Sequence, residues 1–333
     1  MKWPLICNLN VNLAGHMTYS LTPRVKEEIL SQINRAIVEG EVNWDDSGTI
    51  DRTIPLGQMR GIARYVPTFV IRHIAYDPSG FAGRSTCTLC ELVRSSPNRL
   101  IISSGGSLLD HMQRVFAPCF NHYPYLRGQF SLVLREHRSL FSEIDISLIM
   151  QFMLSSGFVA ASIQIRGSGA TLPDHAHVSI FNETLPILKL ESTNIGFIQG
   201  VGVERCERYP GVVLVLAHGD IHSRAVALTV LCRRLERHSL SYNLYIDSKA
   251  RVVVVLRVRS HPISYQVKVG TTTAAGMYIP YFEDSNSKDA QVLQELMRSR
   301  WLCTNGLEVA TSLRETVFQD DPQWLLDRGI CTW

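Results

Sequence analysis

Apolar and polar positions along the middle of this chain change period at regular intervals. Residues 129–135 and 159–166 read as strands, 172–181 carries the period-two alternation of a half-buried strand, and a stretch with helical spacing, about 142–155, separates the first two. The succession then returns. Residues 211–217 form a β-branched apolar run, 223–237 have helical spacing, and 242–246 and 251–258 read as strands joined across Asp247-Ser-Lys-Ala. His137 and His218 follow corresponding strands of the two series. The repeated order points to a duplication in which one half kept the chemistry, against the alternative that common elements recur by coincidence. Upstream, 22–39 predicts a helix, with Thr22 as cap, Pro23 at the first helical position and Glu27 and Glu28 in the first turn. A last helix is predicted at 289–300.

Composition narrows the classes. With 333 residues and 45% hydrophobic content, the chain can build two packed domains or one domain of duplicated halves. Its 33 basic and 30 acidic residues are spread without a polybasic tract, so no duplex nucleic-acid footprint is expected, while anionic small molecules stay compatible. The eight cysteines show no disulfide-like framework, and a cytoplasmic location is the expectation. The opening Met-Lys-Trp-Pro-Leu-Ile-Cys-Asn-Leu-Asn is broken by asparagines and lacks a good cleavage site, and no segment holds ~18 uninterrupted apolar residues, so neither secretion nor a membrane span is expected.

Candidate chemistry concentrates in Leu172-Pro-Asp-His-Ala-His-Val-Ser-Ile-Phe181. Strand alternation puts His175, His177 and Ser179 on one face and Ala176, Val178 and Ile180 on the other. A neutral imidazole can attack an activated phosphorus and pass the bound group to a second acceptor, which divides one displacement into two. The loop just before, Gly167-Ser-Gly-Ala-Thr171, offers backbone N–H groups and hydroxyls for nonbridging oxygens through Gly167, Ser168, Gly169 and Thr171. Cys87-Thr-Leu-Cys90 has ligand spacing, and with His137 and His175 it would complete a closed tetrahedral zinc shell that positions the strand and leaves His177 free to attack. Two buried thiols or a redox pair is the plainer reading of the same cysteines. Arg257 and Lys268 either meet phosphates from the second half or mark a solvated strand face. His73, His111, His222 and His238 read as surface or cap residues, His218-Gly-Asp220 as a pocket edge or a turn, and Cys119 and Cys206 as small core residues.

These motifs, in this order, resemble the histidine-triad superfamily, and within it the branch of galactose-1-phosphate uridylyltransferase, dinucleoside tetraphosphate phosphorylase and the GDP-hexose phosphorylases. Arg84-Ser-Thr-Cys-Thr-Leu-Cys90 is similar to the branch's cysteine pair, Asn121-His-Tyr-Pro-Tyr125 to its Asn-x-Tyr/Phe-Pro element, Leu134-Arg-Glu-His-Arg-Ser-Leu140 to its strand-ending histidine, and Gly169-Ala-Thr-Leu-Pro-Asp-His-Ala-His177 to its active-site strand. The resemblance implies an α+β fold of two related halves forming a half-barrel-like antiparallel sheet with helices outside. It further implies His177 as the residue that becomes nucleotidylated, Asn121 as a nucleotide contact, and zinc on Cys87, Cys90, His137 and His175. Gly270-Thr-Thr-Thr-Ala-Ala-Gly276-Met277 is loosely similar to a segment that closes the site from the second half. One position departs. Where relatives carry glutamine, or a third histidine in hydrolytic members, this chain has Ser179, whose shorter hydroxyl needs a water or a shifted substrate to reach a phosphoryl oxygen. No counterpart of the iron-ligand cluster of some uridylyltransferases is seen, so no iron is expected.

The expectation is therefore a nucleotidyltransferase or phosphorylase. Its substrate would be a nucleotide-sugar or dinucleotide, its acceptor phosphate or a sugar phosphate, and its assembly a monomer or homodimer. A scaffold segment at 1–83, a catalytic half at 84–185 and a degenerate half with an extension at 186–333 would divide the chain. Two alternatives stay open: a repurposed member acting on another phosphorylated or nucleotide-linked metabolite in specialised biosynthesis, and a nucleotide-binding protein without turnover.

Overall fold

The structure is a computed structural model that describes residues 24–68, 87–94, 100–102, 106–165, 167–168, 172, 174–258, 269–279, 290–303 and 306–316, with single positions between 325 and 331. At its centre a nine-stranded sheet is antiparallel at every pairing. Its strands are β3 (Phe116–Phe120), β4 (Phe130–Leu134), β5 (Ala160–Gln164), β6 (His177–Phe181), β7 (Ser192–Ile198), β8 (Val201–Cys206), β9 (Val213–Leu216), β10 (Ser241–Asp247) and β11 (Val252–Arg257). They lie in the order β3-β4-β6-β5-β10-β11-β9-β8-β7. Read outward from the centre, β5-β6-β4-β3 on one side mirrors β10-β11-β9-β8 on the other, and in each half a helix sits between the second and third strands in sequence. The two related halves expected from the repeated pattern are thus present, joined where β5 pairs with β10, Ile163 opposite Leu244.

Local chemistry explains the element ends. Helix Glu143–Ser156 begins at Ser142, whose hydroxyl accepts the Asp145 N–H while the Asp145 carboxylate accepts the Ser142 N–H, a reciprocal capping box; it ends at Gly157, at φ +75°. Its counterpart Ile221–Arg237 begins at Asp220, whose carboxylate accepts the Ser223 N–H. Together with helices Arg24–Val38 and Gly106–Val115, these two cover one sheet face, over a core that includes Leu132, Ile163, Val178, Ile180, Leu214, Leu244 and Val254.

Alternate residues of the same strands, Phe181, Tyr245, Val253, Val255, Val213 and Val215, enter a second core on the opposite face. A smaller sheet lies there: β1 (Ile50–Leu56) and β2 (Met59–Tyr65) form a hairpin across Gly57-Gln58, and β12 (Met277–Tyr278) adds in parallel to β2. Helices Ala290–Cys303 and Gly306–Thr316 pack on that side through Trp301, Val309 and Leu313. Coverage on both faces accounts for the unbroken apolar run 252–256, which lacks the alternation of a one-sided strand.

Arg64 ties the hairpin to the first half. Its guanidinium bridges Asp51 through two contacts of 2.7 Å and reaches Glu183, just past β6, at 2.6 Å, with only 6% of the residue exposed. Arg64→Met removes the cation and leaves two carboxylates facing each other, at an expected cost of about 3 kcal/mol. Chemical denaturation checks this, and adding Glu183→Gln should recover part of the loss.

Candidate functional site

Four potential ligands converge at one end of the first half. Cys87 and Cys90 flank the start of the short helix Thr88–Arg94, which packs over Ala117, Cys119 and Val133 through Leu89 and Val93. His137 follows β4 in a turn held by Arg138, whose guanidinium meets the buried Asp145 carboxylate at 2.6 Å and whose carbonyl accepts the Ala176 N–H at 2.7 Å. His175 stands two residues before regular pairing of β6 begins at His177, so the strand starts later than its sequence pattern suggests. The expected alternation persists all the same, with Ala176, Val178 and Ile180 in the helix-side core.

The Cys90 thiol lies 3.2 Å from His137 Nδ1 and 3.5 Å from His175 Nδ1, the Cys87 thiol 3.4 Å from His175 Nδ1, and all four ligand atoms fall within 4.8 Å of one another. A tetrahedral zinc with Zn–S near 2.3 Å and Zn–N near 2.0 Å holds its ligands roughly 3.3–3.8 Å apart, so this donor set fits that ion. His175 Nε2 donates to the Leu134 carbonyl at 2.7 Å, which fixes the tautomer and turns the Nδ1 lone pair toward the thiols. Burial, then the neighbouring Cys87, raises the Cys90 thiol above its ordinary range, while burial, with His137 nearby, lowers His175. A bound metal would hold both cysteines as thiolates.

His177 projects from β6 onto the face opposite the helices, with Val133 of β4 and Gln164 of β5 directly across from it. Its Nδ1 donates to the His175 carbonyl at 2.9 Å. The lone pair is therefore on Nε2, and loss of water around the half-buried ring lowers its pKa to about 4, so the imidazole is neutral at physiological pH. Two residues on, Ser179 lies between Ser131 and Ser162 in a row of hydroxyl side chains.

No protein-family profile matches the chain, and no curated protein matches it. Among solved structures, yeast Ap4A phosphorylase Apa2 in complex with Ap4A superimposes with a TM-score of 0.58 at 16% identity, over 90% of this chain and 98% of the other. The same yeast protein in complex with AMP gives 0.59 at 15% identity, again over 90% and 98%. The chain has the fold of an Ap4A phosphorylase. A GalT-like protein from Arabidopsis thaliana aligns over 75% of this chain and 99% of its own at 13% identity, with a TM-score of 0.32. The likeness to the two yeast structures is one of fold.

Within the phosphorylase fold, the remaining candidates fall in different places. Asn121 follows β3, and its side-chain oxygen accepts the Tyr123 N–H at 3.1 Å, shaping the turn before Pro124. Gly167, at φ +84°, permits the turn after β5; a Cβ there would stand 2.7 Å from that of Ser241. The Ser168 hydroxyl is committed inside this turn, donating to the Ile165 carbonyl at 2.7 Å and accepting the Ile165 N–H at 3.2 Å. Arg257 is wholly enclosed rather than set on a solvated strand face. Gly169, Thr171 and Lys268 lie outside the described residues, as does His73. His218 pairs with Glu204 at 2.7 Å on the far side of the sheet order, on β8 and the end of β9.

Sequence reasoning missed Gln164 and Asn243, and took Thr271 only as part of the loosely matched 270–277 segment. Gln164 donates to Ser162 at 2.9 Å and accepts from Thr271 at 2.7 Å, and Tyr245 donates to the Thr271 carbonyl at 2.5 Å, so the segment from Gly270 onward is bound over the His177 face. The signal available was polar residues at inward positions of otherwise apolar strands, Ser162 and Gln164 in one and Asn243 in the other. No helix among the described residues is long and apolar enough to cross a membrane.

Proposed function

We propose that this protein is a nucleotidyltransferase or phosphorylase that moves a nucleoside monophosphoryl group from a nucleotide-sugar or a dinucleotide to phosphate or a sugar phosphate, through a covalent nucleotidyl-His177. The observation that carries this reading is His177 itself, neutral, with Nδ1 engaged and its lone pair left on Nε2, in a fold shared with a protein solved with Ap4A and with AMP.

In the first step His177 Nε2 attacks the α-phosphorus, a P–N bond forms, and the P–O bond to the sugar phosphate or nucleotide leaving group breaks. The developing positive charge on the ring is spread to Nδ1–H, which the His175 carbonyl already accepts. In the second step an acceptor oxygen attacks the same phosphorus and the P–N bond breaks, restoring neutral His177. Each displacement inverts, so configuration at phosphorus is retained overall. Gln164, which stands directly across from His177 and gives one amide N–H to Ser162, would offer its second N–H to a nonbridging oxygen. A zinc ion on Cys87, Cys90, His137 and His175 would serve a structural purpose, fixing the residue whose carbonyl orients His177. Ser179 favours a second reading, in which the same nucleophile serves a different phosphorylated or nucleotide-linked metabolite.

Intact-mass spectrometry after brief incubation with UDP-glucose, GDP-mannose and Ap4A tests the proposal. One added nucleoside monophosphoryl unit, mapped to the peptide carrying His177, is expected. An active preparation whose mass never changes and whose product shows inverted phosphorus would overturn it.

A further inference from the structure

Asn243 and Arg257 form a buried polar strut behind the candidate nucleophile. Asn243 lies on β10 and Arg257 on β11, both contributed by the half that lacks the histidine motif. Both are fully enclosed. Arg257 Nη1 donates to the Asn243 side-chain oxygen at 2.8 Å, and Asn243 Nδ2 donates to the Ser168 carbonyl at 2.6 Å. The same Nη1 lies 3.5 Å from the Ser168 carbonyl, and Nη2 donates to the Val269 carbonyl at 3.0 Å. One guanidinium and one amide therefore join two loops: the Gly167-Ser168 turn of the first half, which leads into the histidine strand, and the Val269-Gly270 start of the Thr271 segment from the second.

The chemistry of this strut is specific. Enclosing a guanidinium is costly, and an apolar residue would fill the same space with less desolvation, so the cation is better explained by what its planar fork holds than by stability. The loops it holds are those that flank His177. On the face that carries His177, Gln164 stands directly across from it on β5, Asn243 follows on β10, and Gln164 is itself bound by Thr271. A shift at the Ser168 carbonyl pulls on Ile165, to which Ser168 is bonded through its N–H and its hydroxyl, and so on Gln164 across from His177; a displacement near 1 Å there costs roughly 100-fold in a reaction that depends on alignment.

We propose that Asn243 and Arg257 are positioning residues for transfer at His177: the second half, having lost its own histidines, holds the loops on either side of the nucleophile in reacting geometry. The inference rests on the nucleotidyl-His177 reading. It assigns Arg257 to the scaffold of the reaction rather than to a substrate phosphate.

Asn243→Asp isolates the role. The carboxylate still accepts from Arg257, and gains a charge that suits it, but it cannot donate to the Ser168 carbonyl and repels it instead. Single-turnover labelling of His177 is followed with whichever of Ap4A, UDP-glucose and GDP-mannose labels the wild type fastest, at saturating concentration, beside melting temperature and donor affinity. Expected is a labelling rate lowered roughly 10- to 100-fold, with donor affinity within a factor of about three and melting lowered by only a few degrees. Arg257→Lys, which keeps the charge and loses the fork, should show the same split and decides the matter if Asn243→Asp does not fold. A folded variant that labels at the wild-type rate, or one whose loss lies entirely in affinity, overturns the positioning role while leaving nucleotidyl-His177 standing. Absence of label on the wild type with all three donors removes the parent reading and this inference with it.

Discussion

His177→Asn is expected to lower turnover by at least about 10⁴-fold while leaving the fold intact, the size of loss seen when a covalent nucleophile is removed from an otherwise complete site. The substitution is chosen for its geometry. An asparagine amide nitrogen occupies nearly the position of imidazole Nδ1, so the hydrogen bond to the His175 carbonyl can be kept while Nε2 disappears. Loss of activity with unchanged melting then reports the missing lone pair and not a disturbed strand. His177→Ala should be equally inactive and slightly less stable, because the carbonyl it leaves behind loses its donor. Steady-state turnover on the donor that labels the wild type is the measurement, and retention of even a tenth of wild-type activity in either variant would rule out a covalent intermediate at this residue.

The second large effect is expected at the cysteine pair. Cys90 approaches both His137 and His175, so Cys90→Ser should abolish tight metal binding and destabilise the protein by about 3 kcal/mol, a fall in melting temperature of roughly 6–12 °C. The labelling rate of His177 should fall as well, although no reacting atom has changed. His175 is held between the thiols on its Nδ1 side and the Leu134 carbonyl on its Nε2 side, and its own carbonyl orients the nucleophile. Metal analysis of the purified protein, melting curves with and without a chelator, and labelling rates check the three consequences together. A wild-type protein that carries no metal as purified, binds no added zinc and melts identically in chelator would return the cluster to a pair of partly buried thiols.

What could be read from the sequence was whatever a short window contains. Strand-like runs and helical spacing located β4, β5, β10, β11 and the helices at 143–156 and 221–237 to within a residue or two, and the order of those elements exposed the duplication. The four metal candidates were legible because thiols and imidazoles are few and their spacing is chemical. The hairpin at residues 50–65 went unread although Leu56-Gly57-Gln58-Met59 is a turn between alternating runs; Pro55 and the charged residues around it masked the pattern. Arg257 shows the deeper limit. An arginine closing an apolar strand reads as a solvated end or a phosphate ligand, and only the pairing of β10 with β11 and the approach of two distant loops show what encloses it. Gln164 is alike: its meaning depends on register with His177.

The seam between β5 and β10 has a consequence for how the chain is made. During synthesis the first half emerges whole, with β3, β4, β6 and β5 able to pair among themselves, while β10 is still to come. Until it arrives, β5 is an edge strand, and Ala160-Ala-Ser-Ile-Gln164 carries no charge or proline to discourage a second nascent chain from adding to it. The partner that finally covers this edge, Leu244 against Ile163, lies far along the chain, so closure of the sheet is a slow, non-local event. Co-translational aggregation, if it limits the yield of this protein, is expected to start at that strand rather than at the other edge, β3, which carries Pro118.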